Sequence, residues 1–502
     1  MTPLVRRSPA PAPRPPEGTI TTMTDHSGTG SASVLELLGT RIAGVRHQDL
    51  THHGHTVFHT ALVDTVGVAY AGSAAEGSRL TRAAAGPLSP GPSLVLGTAD
   101  RVSALDAGLL NGVSAHALDY DDTNAIMGGH PSAVLIPAAL ALAEEQGSSA
   151  GQVAEAYAAG YEAVIRISRA VGTSHWDKGW HSTPTLGVLG AAATGARLLG
   201  LSPQRCATAL AIAASSAAGL QANIGTMVKP LHVGRAVREG LFAARLAAQG
   251  CTANPRALEE PRGFLDLYSG PGRYELAAAV PGAGDSTLEI NRCSNTVKEH
   301  ECCGSTHSAL EAAIALHRKR RFAPEDVERI DIVVDRRCLP HTDRPVLPEP
   351  LAGKFSLQYV VARALLEGGI DSAHFEDEAY LSPRIRQLMN RTRVSVAAAS
   401  WSGDVRVPAE VTVFTVTGGV LRHMAEDSPV GRTEVLHPPH LWEKFSQCVG
   451  RVVGQADVSR VVSVLERFAD FADVRDATRV LEVCRPTERG RPGSPAAGRG
   501  RS

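Results

Sequence analysis

From Ser33 to about Gly250 apolar residues recur with the period of a helix, and most of them are Ala, Leu or Gly. No other feature constrains the fold as much. Aromatic residues make up only 4% of the 502 positions. Small side chains let helix axes approach closely, so the run predicts a tightly packed helical body with no core of bulky rings. Residues 144–169, 191–199 and 203–219 are its clearest helical stretches, with Gly or Pro at the joints. In the run 199–203, Gly200 ends one helix, Ser202 caps the next and Pro203 fills its first turn. Gly147-Ser148-Ser149-Ala150-Gly151 has the spacing of a nucleophile elbow, but the residues before it read as helix, and such an elbow needs a strand there. A helix–helix turn is expected instead.

After about Cys293 the period changes. Residues 328–335 (ERIDIVVD), 392–397 (TRVSVA) and 410–417 (EVTVFTVT) alternate as strands, with helices expected at 308–319 and 358–367. Beyond His437 the pattern returns to helix, and residues 458–471 are amphipathic. The fold class expected is mainly α. A large helical domain of residues 33–275 is closed by the C-terminal helices of 432–484, and a smaller α+β lid domain spans 276–431. Residues 1–32 and 485–502 are expected to be disordered extensions. The first 22 residues carry Arg6, Arg7 and Arg14 and no apolar stretch, so they do not form a secretory signal. Met23 as the start of translation is the expectation, with a transit peptide as the alternative.

Several function classes are disfavoured. A formal net charge of -1 marks neither nucleic acid nor an acidic membrane surface as the main partner. Residues 131–143 are apolar but end at Glu144 and Glu145. Residues 206–228 lack charge but include Ser215, Ser216, Gln221 and Asn223, so neither stretch supplies the roughly 20 strongly apolar residues of a membrane span. Eight cysteines occur without C-x-x-C spacing, which reads as free thiols in a reducing, cytoplasmic compartment. Gly28-Thr29-Gly30 has no strand before it, so no dinucleotide loop is expected, and there is no P-loop.

Four clusters carry unusual chemistry. In His116-Ala-Leu-Asp119-Tyr120-Asp121-Asp122-Thr123, followed by His130, three crowded carboxylates either raise one another's pKa for acid–base work or cap a helix. His181-Ser182-Thr183, before a small-residue helix, either binds an anion at the helix N-terminus or merely caps it. Lys229 is the only charge between Arg205 and Arg235, and lines a pocket or sits on a loop. Lys298-Glu-His300-Glu-Cys302-Cys303, ending at His307, invites a zinc reading, but adjacent cysteines suit one tetrahedral zinc poorly. No metal is expected there. Among the histidines at 47, 52, 53, 55 and 59, His55 and His59 lie one helical turn apart, but no carboxylate accompanies them in HTVFH, and the five are expected at the surface.

Eight strings in order resemble the MmgE/PrpD family: HALDYDDT (116–123), HPSAVLIPAALALAE (130–144), GYEAVIRI (160–167), WHSTPTLG (180–187), KPLHVGRA (229–236), GFLDLYSG (263–270), KEHECCGSTHSALEA (298–312) and KFSLQY (354–359). The resemblance runs from about residue 34 to 480. It implies a homodimeric lyase that needs no metal or organic cofactor and takes a small di- or tricarboxylate. It also implies a site at the cleft between the two domains. Asp119, His130, His181, Lys229 and Tyr359 would be catalytic, and Thr123, Ser182, Lys298, Cys303 and His307 would bind substrate. Dehydration of the 2-methylcitrate type is expected first, epimerisation of an iminodisuccinate-like compound second and cis-aconitate decarboxylation third. Cys303 stands where cis-aconitate decarboxylases have histidine, which weighs against the third. A non-catalytic or metal-binding protein of the same fold is the alternative of a different class.

Overall fold

The computed structural model describes residues 32–282, 284–292, 295–397, 408–425 and 438–483. Residues 1–31 and 485–502 of the expected extensions lie outside them, as do Cys293 and Cys484. Helix signals in the sequence become helix ends in the structure. Ser33 caps the helix Val34–Gly44 through a capping box with Glu36. Ser202 caps Pro203–Ser215 by accepting from the Arg205 N–H, and Gly200 takes the left-handed φ that ends the helix before it. Gly147 is left-handed too, and Ser149 caps Ala150–Val171, so the elbow-like motif is a helix–helix turn.

Ser132–Gln146 is buried on every side from Ser132 to Glu144, which explains its lack of a polar face. Packed around it are His52–Ser73, Ala104–His116, Ala150–Val171, Ser182–Leu198 and Val228–Ala248. The small-residue expectation holds in detail. A Cβ on Gly112 would lie 2.9 Å from the Gly234 Cα, so Ala104–His116 and Val228–Ala248 touch backbone to backbone. That approach brings His116, one turn beyond Gly112, beside Lys229, just over one turn before Gly234. The C-terminal helices Pro438–Val449, Gln455–Glu466 and Val474–Val480 join the same core through Leu441, Phe445, Val461, Leu465 and Ala477.

The first region is not wholly helical. β1 (Pro90–Leu94) and β2 (Arg101–Val102) form a small antiparallel pair. Two prolines in five residues erase the period that would have revealed β1. The second region holds a four-stranded sheet of β3 (Val327–Val334), β4 (Thr392–Val396), β5 (Ala409–Thr415) and β6 (Val420–Ala425) in the order β4-β3-β5-β6. β3 runs parallel to β4 and antiparallel to β5, and β5 to β6. Ile330, Ile332, Val334, Val411 and Val413 point into a separate core with His307–Lys319 and Leu357–Glu367. The alternation read from the sequence thus found β3, β4 and β5. β6 was missed because its residues are half-exposed on both faces, with no apolar side to show.

Residues 295–306 run from one core to the other. Thr296 pairs with Thr123 in an isolated bridge, Val297 belongs to the larger core and Cys302 to the smaller. Lys298 lies on this crossing.

Candidate active site

Lys229 begins the geometry. It sits in the first turn of Val228–Ala248, and its ammonium donates to His116 Nε2 at 2.6 Å and to Asp119 Oδ1 at 2.7 Å. Lys298 Nζ reaches the same Asp119 Oδ1 at 3.3 Å and donates to the Asp119 backbone oxygen at 2.6 Å. One carboxylate therefore bridges two buried ammonium groups. Asp119 holds a left-handed backbone, φ 53°, which turns its side chain back toward both lysines.

Asp121 organises the imidazoles. Its Oδ2 lies 2.7 Å from His116 Nδ1 and 3.2 Å from His130 Nδ1. The Asp122 backbone oxygen is also 2.8 Å from His130 Nδ1. With acceptors around both Nδ1 atoms, the network assigns the proton of each neutral ring to Nδ1. His116 Nε2 then accepts from Lys229, while His130 Nε2 keeps a free lone pair 4.0 Å from Asp119 Oδ1. His181, at the N-cap of Ser182–Leu198, stacks on His116 with ring centres 5.9 Å apart. Its Nδ1 is 3.3 Å from that of His232, which lies on the Lys229 face of its helix.

Burial and charge divide these groups into two kinds. Burial lowers His116, helped by Lys229 and opposed by Asp121, to about 3. Burial likewise lowers His130 and, far more, His181. Burial alone would raise Asp119, but Lys229 and Lys298 outweigh it and hold the carboxyl below its ordinary range. Burial would lower Lys298, but Asp119 and Asp121 more than offset it. At neutral pH the cluster therefore holds charged lysines and carboxylates beside neutral imidazoles. Asp122 stands apart. Burial and Asp64 push it up to about 7 against hydrogen bonds from Ser132 and Asn295. It is the one member of the acidic trio whose pKa is raised, and burial rather than crowding within the trio is the main cause.

Three helices start at this cluster. Ser132–Gln146 follows His130, Ser182–Leu198 follows His181, and Lys229 lies within the first turn of its own. Their positive ends and the two ammonium groups favour an anion. Lys229 donates twice in this network and Lys298 once, so each has an N–H left to offer. His116, Asp119, Asp121 and His130 also bring donor atoms within 4.8 Å of one another, as a metal would require. The Lys229 ammonium already bonds two of those four residues, so this cluster is compensated by an organic cation.

The structure thus gathers Asp119, His130, His181, Lys229 and Lys298. Thr123 stands at the edge through its bridge to Thr296, and Ser182 follows His181. Cys303 lies close enough to feel Asp119, Lys298 and Lys229, and burial raises its thiol. His307 is buried with Nε2 at 3.2 Å from the Cys302 oxygen, one layer behind. Tyr359 is not brought to the cluster. Its ring packs on Phe375 inside the α+β core, and its hydroxyl donates to the His374 oxygen and accepts from Arg363. The phase of Leu357–Glu367 turns Tyr359 inward, and the same motif presents Phe355 to the site, 5.5 Å from Lys229 Nζ. Reasoning from the sequence gave no role to His116, Asp121 or His232. All three stand in strings it had singled out, and the helical spacing of His232 from Lys229 was the available signal.

Residues 36–277 match the MmgE/PrpD N-terminal domain and residues 300–467 the MmgE/PrpD C-terminal domain. Human cis-aconitate decarboxylase is 26% identical over 91% of this chain and 96% of its own length. The cis-aconitate decarboxylase-like protein oryM of Aspergillus oryzae is 30% identical over 77% of this chain and 84% of its own. The 2-methylcitrate dehydratase of Cupriavidus necator is 26% identical over 73% of this chain and 79% of its own. Among the described residues, no helix is long and apolar enough to cross a membrane.

Proposed function

Because this chain is a member of the MmgE/PrpD family, we propose that it is a lyase that uses no metal or organic cofactor and cleaves a small polycarboxylate of the cis-aconitate kind. One observation carries the reading. A carboxylate bridged by two buried lysines lies beside a neutral imidazole whose unprotonated Nε2 faces it.

The chemistry follows from that arrangement. When a carboxyl group leaves carbon as carbon dioxide, the electron pair of the broken C–C bond must go somewhere. In an unsaturated tricarboxylate the pair forms a new double bond. The old double bond's pair moves toward a neighbouring carboxylate until a proton reaches its carbon. Lys229 and Lys298, each with a spare N–H, stabilise that charge where it develops. His130, whose Nε2 is unprotonated at rest, takes up a proton from solvent and delivers it to that carbon, its ring held by Asp121 and the Asp122 carbonyl. His181 faces the cluster from the opposite ring stack, and Asp119 keeps the two ammonium groups apart and aimed.

Decarboxylation comes ahead of dehydration here, the reverse of the order expected from the sequence. The human relative matched over most of this chain is a cis-aconitate decarboxylase. Tyr359, expected to be catalytic and the one phenol among the expected site residues that could serve a leaving hydroxyl group, is bound within the α+β core. Dehydration is the second reading, favoured by Cys303 in place of the decarboxylases' histidine.

The test is proton and carbon NMR in heavy water of purified protein with cis-aconitate, 2-methylcitrate, citrate and iminodisuccinate in turn. Loss of carbon dioxide from cis-aconitate, with deuterium entering the product, is expected. Water loss from a hydroxy acid would move the reading to dehydration. Activity that tracks stoichiometric zinc or iron in the purified protein would overturn the metal-free reading.

A further inference from the structure

Three consecutive backbone oxygens, those of Leu118, Asp119 and Tyr120, each accept a hydrogen bond from a different buried lysine. Lys354 Nζ reaches the Leu118 oxygen at 2.9 Å, Lys298 the Asp119 oxygen at 2.6 Å and Lys444 the Tyr120 oxygen at 2.7 Å. The lysines come from three places. Lys354 precedes the helix Leu357–Glu367, Lys298 lies on the crossing segment and Lys444 belongs to the C-terminal helix Pro438–Val449. A buried ammonium needs an anionic partner, and each has one. Lys354 pairs with Glu301 at 2.8 Å, Lys298 with Asp119 at 3.3 Å and Lys444 with Asp64 at 2.6 Å.

Lys354 also reaches the crossing segment, at the Glu301 backbone oxygen, whereas Lys444 holds the residue Lys298 itself. Besides the Tyr120 oxygen it donates to the Lys298 backbone oxygen at 3.0 Å, and its ammonium lies 3.9 Å from the centre of the Tyr120 ring. One group therefore ties the Asp119 loop to the segment that carries Lys298. Those are the two pieces whose separation decides whether Asp119 can bridge the lysines. The left-handed Asp119 at the centre of the clamp is a conformation that only surrounding contacts maintain.

We propose that Lys444 is a positioning residue of the active site, which fixes the distance between the Asp119 loop and Lys298 without touching substrate. The inference rests on the lyase reading above, and its test includes a readout that does not need turnover. Replacing Lys444 alone would strand the Asp64 carboxylate, so the informative variant is Asp64→Asn/Lys444→Met, which removes both charges together. In this variant kcat falls by about a hundredfold, because a reacting group displaced by about an ångström loses that much, while KM stays near that of the wild type. Amide hydrogen exchange followed by mass spectrometry quickens in peptides covering 116–121 and 296–300 and is unchanged in those covering β3 to β6. Lys444→Arg keeps the ion pair with Asp64 but replaces a compact donor with a planar one. It melts like the wild type and loses about tenfold in kcat.

Wild-type kcat in a folded double variant overturns the proposal, and so does a kcat loss without faster exchange in the two peptides. If the double variant does not fold, Lys444→Arg decides, and full activity there is equally fatal. If the wild type turns over none of the four carboxylates, the lyase reading fails. The exchange data then judge the clamp alone, with unchanged exchange overturning it.

Discussion

At the residue scale, chemistry here depends on which nitrogen is free. Asp121 and the Asp122 carbonyl leave His130 Nε2 without a proton, and burial keeps the ring neutral below the ordinary imidazole range. His130→Gln retains a polar side chain of similar reach but cannot carry a proton. The expected loss in kcat is about a thousandfold with the fold intact, read by steady-state kinetics and circular dichroism. In the wild type His130 must be protonated at Nε2 to deliver the proton, so kcat/KM falls as pH rises, and because burial lowers this ring the inflection lies below pH ~6.5. Lys229→Ala removes one of the two cations around Asp119 and is expected to abolish turnover. Part of this was legible beforehand: the Asp119–His130 cluster and Lys229 are polar groups in crowded or apolar sequence, while Lys298 was assigned to the site only by the family resemblance. Lys444 was not. In Pro438–Val449 it reads as one charge of an amphipathic helix, and only its distant partner Asp64 shows that its end is buried. Tyr359 misled for the opposite reason: the motif was right, but which of its aromatic rings faces the cluster depends on helix phase.

At the scale of elements, the site follows from how closely two helices pack. Gly112 and Gly234 let Ala104–His116 meet Val228–Ala248 with nothing between the backbones, and the same contact sets His116 against Lys229. A methyl group on Gly234 would press on the Leu109 oxygen and on Val113 Cγ2 at 2.5 Å. Gly234→Ala should therefore cost about 1–3 kcal/mol of stability and lower kcat further than stability alone explains, since the helices must part where the site is assembled. Denaturant titration and kinetics on the same preparation measure both. The abundance of small residues foretold such packing in general. It could not say which glycine faces which, because that depends on the phase of both helices.

For the molecule as a whole, a core that shelters neutral imidazoles has a pH signature. His116 is lowered to about 3, and His175, His232 and His341 to about 4, each by burial first. Unfolded, these rings take up protons below pH ~6.5 that the native state refuses. Stability is therefore lost as pH falls from that value toward 4. Asp122, whose native carboxyl keeps a proton up to about 7, acts in the opposite sense, as do Asp64, Glu144 and Glu259. Burial also lowers His55, His130, His181, His307 and His374, however, so the imidazoles outnumber them. The melting temperature should drop between pH 7 and pH 5, as thermal denaturation followed by circular dichroism would show, and a rise would contradict the burial of these rings. The two cores were largely visible in the change of period near residue 293, whereas the crossing segment that joins them gave no periodic sign. The Tyr120–Lys444 bond, finally, spans 324 positions of chain. On a ribosome the Asp119 loop emerges long before the lysine that holds it, so a nascent or prematurely ended chain could fold most of its helices and still be inert. Assembly of the active centre is then among the last events of folding, and catalysis itself reports that the chain has been made as far as its final helices.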